Sequence, residues 1–332
     1  MFIFKQFRIH SINAVGCLCA GLLSPMMASS VSAADYPTKP IRLVSPYAPG
    51  GSNDIVTRVL AQKLSDVLQQ RVYVENKPGG GMTIASEMIA HGPADGYSLL
   101  LVSSGHAVNP SLRSDLPYDT VKDFSAVSLV GSMPNVVVVN PKLPIHSIAD
   151  LVRLANSTAG GIPYASAGNG SSPHLAAEWF KSLAKINMTH IPYKGTGQAI
   201  TDIIAGNVAL TISGIAPVLP FIKSGQLRAI AIASDKRSPL LPALPTVAES
   251  GYPGYNALTW YGVVARAGTP APVIETLNQA LRKIVAQPDT RETFAGLGIE
   301  AVGSTPAEFD GFIHNEIETW ARVVKTAGMK VD

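Results

Sequence analysis

Cysteine is almost missing from this 332-residue chain, and the two it has, Cys17 and Cys19, both fall near the start. A disulfide framework and thiol catalysis in the body of the protein are therefore excluded. Charge of one sign is equally scarce. The 26 Lys and Arg against 23 Asp and Glu leave a net +3, and no basic run interleaved with aromatics offers nucleic acid an electrostatic footprint. Beyond residue 34 no apolar run reaches the roughly 20 residues that a membrane-spanning helix needs. The motifs G-x-x-x-x-G-K-[ST], H-E-x-x-H and G-x-S-x-G do not occur, which removes sequence support for a P-loop, a zincin and a nucleophile elbow. Gly79-Gly80-Gly81 begins like a dinucleotide fingerprint, but Ile84 stands where the third small residue belongs, so a turn is expected there. His174 and Glu178, at i and i+4 among seven scattered histidines, read as a helix-face pair, not as metal ligands. No metal and no cofactor is expected.

What is present begins with a leader. Lys5, Arg8 and His10 precede an apolar run from Ile12 to Met27, interrupted by Pro25, and then come Ala28, Ser29, Ser30, Ser32, Ala33 and Ala34. That order is a secretory signal peptide over residues 1–34, with cleavage near Ala33 or Ala34. Ala14-Val15-Gly16-Cys17 loosely resembles a lipidation box, but lipidation at Cys17 would leave an unusually short apolar region before it. Removing Lys5 and Arg8 leaves 24 basic against 23 acidic residues, a net of +1. An exported, periplasmic protein follows.

From Ile41 onward, short β-branched runs (IRLVS, VYVE, SLLLVSS, VVVV, IPYAS, THIPY, VALTIS, RAIAIAS) alternate with segments of helical period. Such alternation argues parallel βαβ sheets, and the length suggests about two lobes. The tail differs, with helical stretches from Pro272 to Ala286 and from Pro306 to Lys325. Two β-rich passages, Ser128 to Asn140 and Ala257 to Ala265, are placed to cross between lobes. The expected division is a discontinuous first lobe, 35–133 plus 263–332, and a second lobe, 134–262, enclosing a hinged cleft.

Two loops carry the candidate chemistry. Tyr47-Ala-Pro-Gly50-Gly51-Ser52-Asn53-Asp54 links a strand to a helix, and Ala167-Gly168-Asn169-Gly170-Ser171-Ser172-Pro173-His174 repeats the construction. A helix start presents unpaired N–H groups and the positive end of the macrodipole, and glycine lets a ligand approach the backbone. A capped turn explains either loop taken singly, with Ser52 or Asn53 as cap in the first. Together, beyond the carboxyl ends of strands in two lobes, they favour an anion cradle. A third loop, Ile191 to Gln198, adds Tyr193 and Lys194, the latter equally readable as a solvated charge. Trp260 and Tyr261 are candidate walls for an organic ligand or else core residues. Asp54 either complements its helix dipole or accepts from a ligand amide.

At these loops the sequence resembles the Bug family, the extracytoplasmic solute receptors of tripartite tricarboxylate transport systems. YPTKPIRLVSPYAPGGSNDIVTR, VENKPGGGMTIASEMIAHGPADGYSLLL, YASAGNGSSPHLAAEWFK, HIPYKGTGQAITDIIAGNV, GQLRAIAIAS with LPTVAESGYPGY, and WYGVVARAGTPAPVIETLN carry the resemblance across the mature chain. It implies an α/β, type II periplasmic-binding-protein fold, two doubly wound lobes closing over a small organic carboxylate, often through water. Gly50, Gly51, Ser166, Gly168, Ser171 and Ser172 match the family's carboxylate loops. The resemblance also brings Tyr47, Asp54, Ser103, Ser104, Tyr193, Lys194 and Gly195 near the pocket. One departure is Ser213-Gly214, where many relatives carry an acidic residue. The expectation is a non-enzymatic, monomeric receptor whose partners are the carboxylate and the membrane subunits of a transporter. The alternatives are a ligand-presenting adaptor for a membrane signalling receptor, and a secreted hydrolase pairing a serine with His174 or His106.

Overall fold

The computed structural model describes residues 36–329; the proposed leader, its cleavage point and Cys17 lie outside them. Strands β1 (Ile41–Ser45), β2 (Val72–Asn76) and β3 (Ser98–Val102) pair in parallel in the order β2-β1-β3. Parallel neighbours require crossovers, and α1 (Ser52–Leu68) and α2 (Thr83–Ala90) supply them, while α3 (Ser104–Leu112) follows β3. Helix α1 shows why the local sequence folds so: Val56, Leu60 and Leu64, four residues apart, make one buried stripe.

The 16-residue strand β4 (Phe124–Val139) changes partners along its length. Phe124 to Pro134 pair antiparallel with β9 (Leu258–Arg266), which also pairs with β3. Asn135 to Val139 pair antiparallel with β7 (Leu210–Gly214), and Val136 to Val139 pair with β8 (Arg228–Ile232) on the other side. Beyond β7 lie β5 (Ile162–Ser166) and β6 (Met188–Pro192), all parallel. Two sheets thus share one strand. The second sheet carries α4 (Ile148–Ser157), α5 (Ser172–Ala184), α6 (Thr196–Ala205) and α7 (Ile215–Lys223).

The C-terminal part adds α8 (Ala271–Ala286), α9 (Pro288–Gly296), the short β10 (Glu300–Ala301) on β4, and α10 (Pro306–Ala327). Helix α10 opens with a capping box between Thr305 and Glu308, with Pro306 in its first turn. Its Phe309 and Phe312 meet Trp260 of β9, and its Trp320 meets Trp179 of α5 edge to face.

Three helices, α3, α7 and α9, are absent from the apolar pattern. Pro110 lies inside α3 and Pro220 inside α7, and proline normally marks a helix end. SLLLVSS correspondingly stops being a strand at Val102, since Ser103 is the N-cap of α3. VVVV is the last part of a far longer strand. The passage 257–265 pairs from Leu258 onward with β3 and the first part of β4.

Candidate functional site

Strands β1, β3, β5 and β6 run parallel within their sheets and each leads into a helix. The first residues of those helices line one small cavity: Gly51, Ser52 and Asn53 of α1, Ser103 before α3, Ser171, Ser172 and Pro173 of α5, and Thr196 of α6. None of these helices has a side-chain hydrogen bond capping its N-terminus. Each end therefore contributes free N–H groups and about half a positive charge to a common point. No acidic residue lines the cavity. Its volume of about 20 Å³ is room for one water molecule.

Tyr47, Tyr261 and Thr259 complete the wall. The hydroxyls of Tyr47 and Tyr261 and the Asn53 Oδ1 are buried without a protein hydrogen-bond partner. Burial pushes both phenols well above their ordinary pKa, so they stay neutral donors. Tyr47 and Ala167 also line an adjoining outer cleft of about 290 Å³, bordered by the turn 79–81, Arg113, Gly168, Asn169, Pro192, Tyr193 and Lys194. That volume is at the lower end for small-molecule sites.

The two sheets' loops meet directly around these spaces. Ala48 N donates to the Lys194 carbonyl at 3.0 Å. Gly81, at φ +59, lies so near the other side that an added Cβ would stand 1.8 Å from the Asn169 carbonyl oxygen. Only glycine fits there.

Of the residues singled out in the sequence, Tyr47, Gly51, Ser103, Ser171 and Ser172 line the inner cavity, and Gly168, Tyr193 and Lys194 join Tyr47 in the outer cleft. Gly50, Asp54, Ser104, Ser166, Gly195 and Trp260 line neither. Asp54 is turned inward, where its carboxylate accepts from Gly50 N at 3.1 Å, Asn76 Nδ2 at 2.9 Å and Arg58 Nε at 3.0 Å. It pins the glycine loop. Burial alone would raise its pKa, but these donors outweigh that and hold it below the usual value.

Ser104 is buried with its hydroxyl unpartnered. Ser166, fully buried, accepts from Gly168 N at 3.0 Å and contacts His190 Nε2, so it shapes the second loop from behind. Gly195 sits against Ala48. Trp260 points away from both cavities into α10, where its indole N–H donates to Glu316 at 2.6 Å. Adjacent strand residues face opposite sides, and Tyr261 is the one that faces the cavity.

Thr259 and Asn135, from β9 and β4, went unread in the sequence. Thr259 Oγ1 donates to Asn135 Oδ1 at 2.7 Å, and Asn135 Nδ2 donates to Ser172 Oγ at 3.2 Å. The Thr259 hydrogen being committed, Ser172 must donate to Thr259 Oγ1, 2.5 Å away. This closed ring fastens the start of α5 to both long strands. Behind it, His174 Nδ1 accepts from Gly170 N at 3.1 Å, and its ring stacks on His190 at 4.2 Å. Burial is the main cause that lowers both pKa values, to about 4 for His174 and about 3 for His190.

The serine and histidine pairings expected of a hydrolase do not form. Ser172 bonds to Thr259 and Asn135, His174 bonds to Gly170 N, and both His106 nitrogens lack a partner. The one serine–histidine contact of the site, Ser166 with His190, lies beneath the loop and lines neither cavity. What the arrangement can do is hold an anion at converging N–H groups.

Two α/β sheets sharing a long strand, with uncapped helix starts meeting between them, define a two-lobed protein of the periplasmic-binding type. Residues 56–329 match the family described as tripartite tricarboxylate transporter family receptor. The chain is 41% identical over 328 residues to protein BugT of Bordetella pertussis, covering 98% of each. Among solved structures it is similar to R. palustris Rpa4515 with adipate, at TM-score 0.85 and 32% identity over 89% of this chain and 99% of that one. It is also similar to MatC from Rhodopseudomonas palustris with bound malate, at TM-score 0.84 and 30% identity over 87% of this chain and 100% of that one. The chain belongs to the tripartite tricarboxylate transporter receptor family.

Proposed function

We propose that this chain is an exported periplasmic receptor that captures a small organic carboxylate and presents it to the membrane subunits of a tripartite tricarboxylate-type transporter. The observation that carries the reading is the convergence of four uncapped helix N-termini on one cavity with no acidic residue in its wall. Adipate on Rpa4515 and malate on MatC support the ligand class. Among the described residues no helix is long and apolar enough to cross a membrane, which agrees with delivery to a separate membrane partner.

The inner cavity admits one water, so the carboxylate sits at the inner end of the outer cleft, beside Tyr47, and the water relays the helix N–H groups to it. A bridging water is nearly as good enthalpically as a direct bond. Charge-assisted bonds of this kind favour carboxylate over neutral analogues. At about 0.3 to 1.5 kcal/mol per heavy atom, a ligand of about ten atoms reaches the approximately 8 kcal/mol of micromolar binding. Residues 35–133 with 263–332, and 134–262, are the two lobes expected from the sequence. The change of partner in β4 after Pro134 supports the first boundary, whereas β9 pairs with the first sheet from Leu258 onward and so favours a second boundary just before Leu258.

Isothermal titration of the mature protein against mono- and dicarboxylates, amino acids and pyridine carboxylates tests this. Micromolar binding of at least one acid is expected, and no heat from any of them with well-folded protein overturns it.

A further inference from the structure

We infer that the groove between α5 and α10 is a second ligand site, separate from the carboxylate cleft, and that it takes a small amphipathic anion, one acid group on an apolar chain or ring. The groove shares no residue with the inner cavity or the outer cleft. Its volume of about 330 Å³ is within the range of small-molecule sites. Seven residues line it, against about 20 to 30 a side in a stable protein interface, so a small molecule is the occupant it fits.

The apolar wall is made by Trp179 and Leu183 of α5 with Val323 of α10. Leu183 is one of only five large apolar side chains left exposed among the described residues. It follows the half-buried Trp179 by four positions in α5, and side chains at that spacing share a helix face. An exposed apolar patch rimmed by polar groups marks a surface that something covers.

The rim is cationic. Lys185 and Arg322 line the groove and no acidic residue does. Among the described residues neither cation takes part in an ion pair. Basic residues near a helix C-terminus ordinarily answer the macrodipole, but Lys181 and Lys325 already occupy the last turns of α5 and α10. Backbone N–H groups answer carbonyls there as well: Ile186 N donates to the Lys181 oxygen at 3.2 Å and Met329 N to the Val324 oxygen at 3.0 Å. Lys185 itself has φ +52, a left-handed position at which a helix end usually has glycine. Keeping a lysine at that cost points to a use for its side chain. Two cations without counter-charge, set beside an exposed apolar wall, match an anion that brings its own apolar body.

The chain's three tryptophans provide the readout. Trp179 meets Trp320 edge to face, and Glu316 accepts from the indoles of Trp320 and Trp260, so all tryptophan emission comes from the groove and the residues next to it. The test titrates the mature protein with octanoate and with 1-octanol, in wild type and in the double variant Lys185→Gln, Arg322→Gln. Wild type is expected to give a saturable change in emission and to bind octanoate about tenfold more tightly than 1-octanol. An apolar groove alone would rank them the other way, because burying an unpaired carboxylate costs more than burying a hydroxyl. The double variant should lose about tenfold in octanoate affinity, the size of two exposed charge contacts, and keep its affinity for 1-octanol. Octanoate that entered the carboxylate cleft instead would bind the double variant as tightly as wild type, and that result overturns the assignment. So does a wild type that prefers the alcohol or shows no saturable change, and so does an equal loss of both ligands in the double variant, the mark of a general lesion.

Discussion

Tyr47 carries its hydroxyl at the point where the inner cavity and outer cleft meet, buried and without a protein partner. Removing a buried unpartnered hydroxyl costs the fold nothing, whereas removing a ligand donor weakens binding by about 1 kcal/mol, a factor of about five. Tyr47→Phe is accordingly expected to leave the melting temperature unchanged or slightly raised while carboxylate affinity drops about fivefold; titration beside thermal melting separates the two. Asp54 makes the opposite case. An amide at this position places an NH₂ among donors, so Asp54→Asn should loosen the loop, lowering both melting temperature and affinity. Because its native pKa is depressed, the Asp54 contribution is complete above its unfolded value of about 3.9 and disappears as pH falls through the native one. At this scale the sequence located the loops but not the duties within them. Asp54 and Ser166 were legible as neighbours of a site, yet only the bonds to Gly50 and Gly168 reveal them as supports. Arg113, outside any motif, gave no signal at all.

The starts of α1, α5 and α6 were the most legible elements, because a glycine or serine loop between a β-branched run and a helical period is a local signal, whereas the start of α3 was hidden in a run that read as strand through Ser104. What anchors them is not local. The ring of Ser172, Thr259 and Asn135 joins residues far apart in the chain, and no periodicity announces such a meeting. Thr259→Val strands the Asn135 carbonyl oxygen and the Ser172 hydroxyl, and about 1 to 3 kcal/mol of stability should be lost, read as an earlier urea midpoint with unchanged slope. Imidazoles kept neutral add a second support, His174 and His190 beneath the second loop and His106 in α3 against Phe124. His106 and His174 have pKa values lowered to about 4 and His190 to about 3, mainly by burial. The unfolded chain takes up those protons near pH 6.5. Their stabilising share is thus full above about pH 6.5 and drains away as pH drops through 4 toward 3. Once charged, His174 can no longer accept from Gly170 N. Urea unfolding at pH 7 and pH 5 should show the decline, and His190→Gln should flatten it.

Across the whole molecule, alternation of strands and helices foretold two α/β sheets, and Ser128 to Asn140 read as a β-rich passage placed to cross between them. The strand that pairs in both, β4, begins earlier, at Phe124, and runs as one element through Gly131 and Pro134, which the sequence pattern does not announce. The triple glycine 79–81 was legible as a turn, and its purpose emerges only in three dimensions, where Gly81 approaches Asn169. Gly81→Ala is expected to hold the halves apart, weakening carboxylate binding at least tenfold and enlarging the radius of gyration of the ligand-saturated protein in X-ray scattering. The contacts that join the two sheets' loops around the outer cleft, Ala48 N on the Lys194 carbonyl and Gly81 beside the Asn169 carbonyl, have a kinetic corollary. An acid held behind them departs only when the jaws part. Its escape should therefore proceed at one fixed rate however much competing acid is added, making the timing of release a property of the receptor that a docked membrane partner can hasten.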